Sequence, residues 1–184
     1  MDARTLAARA EIGDVIRLSC HVLDRHRWEL MDDVYHDDGT VRYSYRESVQ
    51  PYRQWVANAQ TIMSAFPCTL HQIGNMLIDI DGDTAWSETY VTATHRVPPT
   101  APNDSFWLGR EKDYDGVGTG RYVDHFECRD GVWKIAQRVA FIEWRHDRPA
   151  DDGDLSKVPS EFRGHWGDAD PSRPTVAWRL DRLK

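Results

Sequence analysis

Three things are scarce in this chain, and each scarcity removes a class of function. Positive charge is the first. The net charge is −7, and the arginines are scattered among aspartates and glutamates. Neutralising phosphates needs clustered Lys and Arg, so nucleic acid is excluded as a partner. Long apolar runs are the second. Nothing approaches the ~18 unbroken apolar residues of a membrane helix, and the opening "MDARTLAARAEIGDVIRL" mixes acids through itself in place of the apolar heart of a leader peptide. Cysteine is the third. Cys20, Cys68 and Cys128 are odd in number and lack CxxC spacing, which excludes a disulfide framework or a zinc knuckle and fits a reducing cytoplasm.

What the chain does have is a globular composition, 40% hydrophobic and 29% charged over 184 residues. That is enough for one domain with a real core. Eight tryptophans also suit a pocket for a flat apolar ligand.

Periodicity predicts a helix from about Ala3 to His26, with Leu6, Ala10, Gly13, Ile16, Cys20 and Leu23 in one stripe. A short helix carrying Trp28, Met31 and Val34 or Tyr35 follows. "HDDGT" should break it, and "TVRYSYRE" alternates like a strand. A third helix starts near Pro51, a favoured first helical position, and stops at Pro67. The rest reads as strands. "TLHQIGNMLIDI" and "TAWSETYVTATHRV" flank a "DGD" turn, and "RYVDHFECR" and "VWKIAQRVAFIEWRHD" flank a "DG" turn. Between the two hairpins lies a long loop, in which "DGVGTGR" precedes a strand and not a helix. It therefore reads as a lid or turn and not as a phosphate cradle. The "NDS" sequon at 103–105 has meaning only on a secreted chain. Helices followed by antiparallel strands predict an α+β fold, a curved sheet wrapped around N-terminal helices. The domain should span 1–147. An extension, 148–184, should pack on the barrel or on a neighbouring subunit through Phe162, Trp166 and Trp178.

One segment, "PCTLHQIGN", places a titratable ring on an apolar strand. His71 shares parity with Ile73, Asn75 and Leu77. Either it is a satisfied core group or it has chemistry to do. A partner is available in Asp24, which ends the first helix's apolar stripe, where an unpaired carboxylate is out of place. A carboxylate on one imidazole nitrogen fixes the tautomer and leaves the other free as a base. With no Ser or Cys nucleophile assigned to the pair, the chemistry expected is proton transfer: elimination, dehydration or isomerisation. Arg138 shares parity with Ala136, Ala140, Ile142 and Trp144 on an apolar face. It either steadies a leaving group or oxyanion, or pairs with Glu143 or Asp124 across the hairpin. His95, on the answering strand, is a second candidate acid or base. Tyr35, Tyr43, Trp55, Asn75, Tyr122 and Trp144 are candidate pocket residues. Neither the Cys20/His21/Asp24/His26 cluster nor "DIDGD" has the geometry for a metal.

The segments "RAEIGDVIRLSCHVLDRHRWELMDDVYHDDGTV", "TLHQIGNMLIDIDGDTAWSETYV" and "GRYVDHFECRDGVWKIAQRVAFIEW" resemble the SnoaL-like branch of the nuclear transport factor 2-like superfamily over roughly the first 145 residues. The resemblance implies a cone-shaped α+β barrel with a deep apolar pocket, two or three copies per assembly, and no metal or organic cofactor. The likeness is greatest to the branch's cofactor-free lyases, of the scytalone dehydratase, hexachlorocyclohexane dehydrochlorinase and bile-acid dehydratase type. These imply Asp24 and His71 as the general base, with Arg138 and His95 in support. Ser19 stands where the dehydrochlorinases carry a lysine, which argues against halide elimination. The expected substrate is an aromatic or polycyclic small molecule. The alternatives are an isomerase or polyketide cyclase of the same fold, and a non-catalytic small subunit of a ring-hydroxylating dioxygenase.

Overall fold

A computed structural model describes residues 2–43, 48–102, 106–151 and 157–170. The expected strand residues 44–47, the 103–105 sequon and Trp178 lie outside the described residues.

The first helix, α1 (Ala3–Arg25), begins at Asp2, whose carboxylate accepts from the Thr5 N–H at 2.8 Å. Such a cap contributes about 1 kcal/mol. The helix buries Ile12, Ile16, Val22 and Leu23 and, among them, Asp24. A 3₁₀ turn over Trp28–Leu30 and a one-turn helix α2 (Met31–Val34) lead into β1 (Tyr35–Tyr43). The short helix thus ends just before "HDDGT", and that segment is already strand. A short β2 (Gln50–Pro51) and α3 (Tyr52–Met63) follow. The long strands are β3 (Cys68–Asp81), β4 (Thr84–Val97), β5 (Tyr114–Arg129) and β6 (Val132–Pro149).

The six strands form one curled sheet in the order β2-β1-β6-β5-β4-β3. Neighbours are antiparallel, except that β1 runs parallel to β6. This is the α+β barrel expected from the sequence. The turn between β5 and β6 uses Asp130 (φ 53) and Gly131 (φ 78), the left-handed pair that a two-residue hairpin requires. The helices fill the concave face, where Ile12, Ile16, Val34, Phe126 and Ile135 form a fully buried core.

Two irregularities shape this interior. In β3 the pairing with β4 slips between Ile73 and Met76. The extra residue re-aims the strand, so His71 and Ile73 are followed inward by Met76 and Ile78, while Leu77 is turned out to 67% exposure. In β6 the register against β5 shifts near Ala136 and again near Glu143. At the second shift, a side chain at Gly120 would meet the Phe141 carbonyl at 1.9 Å, so only glycine fits.

The "DGVGTG" segment is not a lid. It is the first half of β5. Its glycines serve close packing: a Cβ at Gly116 would lie 2.5 Å from the Trp107 indole, and one at Gly118 would lie 3.2 Å from it. The loop before β5 lays Trp107 on this bare track. Arg145 of β6 holds it there, with its guanidinium 4.3 Å from the Trp107 ring centre and a 2.6 Å hydrogen bond to the Phe106 carbonyl.

Part of the C-terminal extension packs against the end of α1, where Trp166 stacks on His26 at 4.1 Å. Among the described residues, no helix is long and apolar enough to cross a membrane.

Candidate active site

Asp24 lies in the last turn of α1, and the inward half of β3 brings His71 to it. One carboxylate oxygen, Oδ1, accepts from His71 Nδ1 at 2.7 Å, and the other, Oδ2, accepts from the His71 backbone N–H at 2.8 Å. Both side chains are under one-tenth exposed. Two donors from one residue fix the carboxylate in its plane. A carboxylate can only accept, so the ring proton sits on Nδ1. Nε2 is left as the acceptor, on a ring that lines the main cavity.

His95, on β4, lines the same cavity with its ring centre 5.4 Å from that of His71. Its Nδ1 lies 2.8 Å from the Thr69 hydroxyl, and both residues are buried. A hydroxyl donates to an imidazole nitrogen or accepts from it; with Thr69 donating, Nδ1 accepts and the His95 ring proton lies on Nε2. Burial pushes the His95 pKa well below the ordinary imidazole value, and His71 and Arg145 push in the same direction. The ring is a neutral N–H donor at physiological pH. A base nitrogen and a donor nitrogen thus stand side by side.

The cavity measures about 110 Å³. Tyr43 stacks on Trp55 at 5.7 Å along one wall, and Phe66 and Trp107 flank His95. Tyr122 forms part of the floor, and Gln50 and Asn58 add amides on the α3 side. No Asp, Glu, Lys or Arg lines it among the described residues.

The structure thus brings together Asp24, His71, His95, Tyr43, Trp55 and Tyr122. It places the other four candidates elsewhere. Asn75 falls at the β3 slip and is exposed. Trp144 follows the second β6 shift and is 55% exposed, off the cavity. Tyr35 is buried behind the wall, stacked on Tyr52 at 5.0 Å.

Arg138 points inward but stops beneath the floor. Its guanidinium forks onto Asp124 at 2.7 and 2.8 Å, donates to Ser19 at 3.1 Å, and lies 4.2 Å from the Tyr122 ring centre. Burial would lower its pKa, but the Asp124 charge and the nearby tyrosines more than offset this, and the net movement is well upward. Of the partners expected from sequence, Asp124 holds it. Glu143 pairs with Arg121. Burial also raises the phenol pKa of Tyr122, and that of Tyr35 to about 12, so both rings stay protonated.

Thr69, Phe66 and Trp107 were not singled out as site residues from sequence. For Trp107 a signal existed in the alternate glycines of "GVG", which marked a strand face that something large must cover.

A curled sheet around a helix-filled, aromatic-walled cavity defines a class of small α+β barrels. The SnoaL-like domain profile matches residues 4–139, and the chain belongs to that family. No curated protein matches the sequence. Solved structures share the fold at low identity. A hexachlorocyclohexane dehydrochlorinase (LinA, type 2) superposes with TM-score 0.68 at 15% identity, over 87% of this chain and 99% of that one. A scytalone-dehydratase-like protein from Novosphingobium aromaticivorans gives 0.66 at 21% identity, over 82% and 94%. A Kribbella flavida protein gives 0.64 at 21% identity, over 79% and 95%.

Proposed function

We propose that the protein is a cofactor-independent lyase that eliminates water, or a related oxygen leaving group, from a small uncharged aromatic substrate. The observation that carries this reading is the two-point clamp of Asp24 on His71, which leaves Nε2 as the free nitrogen of a cavity-lining ring. In the elimination, His71 Nε2 takes the proton from the carbon beside the one bearing the leaving oxygen. His95 Nε2–H donates a hydrogen bond to that oxygen as its C–O bond breaks and the C=C bond forms. The His71 imidazolium, held by Asp24, returns the proton to the oxygen, and water departs. General base catalysis of this kind contributes about 10²–10⁴-fold, and a preorganised donor in a water-poor site contributes about as much again.

The uncharged lining supports a neutral substrate, since an ionic group would enter unpaired. At about 110 Å³ the cavity is of the order of the ~150 Å³ that holds a benzene ring, which supports a single ring over a polycycle. Asp24 is 5% exposed and does not line the cavity. This favours His71 as the base over an isomerase scheme in which the aspartate itself abstracts the proton.

The same reading includes self-association. Leu77, Trp86, Tyr90 and Phe141 stand 67%, 53%, 46% and 40% exposed, which leaves the outward face of β3–β6 partly apolar and supports its use as a contact between copies. A second or third copy covers it.

The test is a panel of benzylic and ring-fused alcohols and ethers, followed by the absorbance of the conjugated product. His71→Ala and Asp24→Asn should each lower kcat about 10²-fold or more with circular dichroism unchanged. Full turnover in either variant refutes the mechanism.

A further inference from the structure

We propose that Trp166 and Asp170 of the C-terminal extension are positioning residues for the dyad: a clasp that holds the last turn of α1, and with it Asp24, at the distance His71 requires. The inference rests on the Asp24–His71 pair as the working base.

A helix ends with carbonyls that have no partner within it, and last turns fray. Asp24 sits in that turn, and three features tie it to the extension. The Arg25 guanidinium donates to the Asp24 main-chain carbonyl at 2.9 Å, and its Nε stands 3.7 Å from an Asp170 carboxylate oxygen. Arg25 therefore bridges the extension to the backbone of the dyad aspartate. Asp170 is itself 6% exposed and accepts from the His165 N–H at 2.9 Å, so it is a fixed anchor. His26, which caps α1, adopts the left-handed conformation at φ 52. That conformation is unusual for a residue with a side chain, and it sets the ring parallel to Trp166, 7° from coplanar. Among the described residues, the Nε2 atoms of His21 and His26 are buried with no hydrogen-bond partner, so the outer face of this helix end is built to lie under protein. The SnoaL-like match ends at residue 139, so the clasp lies outside the matched segment. Its effect is leverage: a displacement of ~1 Å at a reacting group removes about 10²-fold in rate, and the clasp acts one residue from Asp24.

The experiment compares Trp166→Ala and Asp170→Asn with Phe162→Ala, which alters an extension residue that is 77% exposed. The readout is the downfield Nδ1–H resonance of His71 in ¹⁵N-histidine-labelled protein, assigned by its loss in Asp24→Asn. The clasp predicts solvent exchange of that proton about tenfold faster in both clasp variants, unchanged exchange in Phe162→Ala, and kcat lowered about tenfold at constant KM on any substrate turned over. Unaltered exchange in both clasp variants overturns the proposal. The resonance reports on the clasp whether or not a lyase substrate is found, so failure of the proposed reaction and failure of the clasp are separate results.

Discussion

Removing Asp124 should unfold the protein more readily than almost any other single change, and the size of the effect follows from its surroundings. Asp124 is 0% exposed and its partner Arg138 is 1% exposed. The fork between them satisfies two of the guanidinium's donors, and Ser19 takes a third at 3.1 Å. In Asp124→Ala the charge stays buried and loses its counter-ion. That situation destabilises by about 3–5 kcal/mol, out of a total near 5–15 kcal/mol for a domain. At ~2–4 °C per kcal/mol for a chain of this length, the midpoint falls by roughly 6–20 °C. The double variant Asp124→Leu/Arg138→Met removes both charges and fills their volume. It should recover most of the loss, apart from about 0.5–2 kcal/mol for the cation–π contact with Tyr122. Urea unfolding followed by tryptophan fluorescence gives all corners of the cycle, and the coupling should exceed ~2 kcal/mol. Because the pair lies beneath the floor, the double variant should also keep turnover. A loss under ~1 kcal/mol in Asp124→Ala, or additive effects in the double variant, refutes the structural role. A folded but inactive double variant returns Arg138 to the chemistry.

Two further outcomes are expected. His95, and in the same direction His21 and His26, have pKa values lowered by burial. Below about pH 6.5 the unfolded chain binds protons that the folded chain refuses, so stability falls with falling pH. For His95, the most deeply buried of the three, the slope approaches ~1.4 kcal/mol per pH unit, and the other two add less. His95→Asn should flatten that acid limb in urea titrations between pH 7.5 and pH 5, and an unchanged limb contradicts the burial argument. Trp86→Glu with Phe141→Glu should lower the sedimentation mass to that of one chain while the dyad stays intact. A wild type that sediments as a single chain at all concentrations disposes of the self-association.

The legible features were those set by local chemistry. The carboxylate at the end of α1's apolar stripe and the imidazole among the β3 aliphatics could be matched because helix period and strand parity both hold up to those residues. The Asp-Gly turns located both hairpins. Legibility ended where parity was interrupted. Asn75, Leu77 and Trp144 were assigned faces by counting in twos, and each lies just past a slip in pairing, which composition does not signal. Tyr35 shows a different limit: read as the inward end of the short helix, it instead opens β1, where α3 places Tyr52 and Trp55 against it. The "DGVGTG" segment misled because glycine is the residue of turns as well as of close approach, and only the distant Trp107 separates the two meanings.

That indole rests on a strip of backbone with no side chains of its own. A ring seated on hydrogen atoms meets no side chain on that face that could yield, so the bed of the covering over His95 is rigid, and Arg145 closes it from the other strand. Enlarging the chamber at this end proceeds through position 107, because a carbon added at 116 would overlap the indole and one at 118 would press on it.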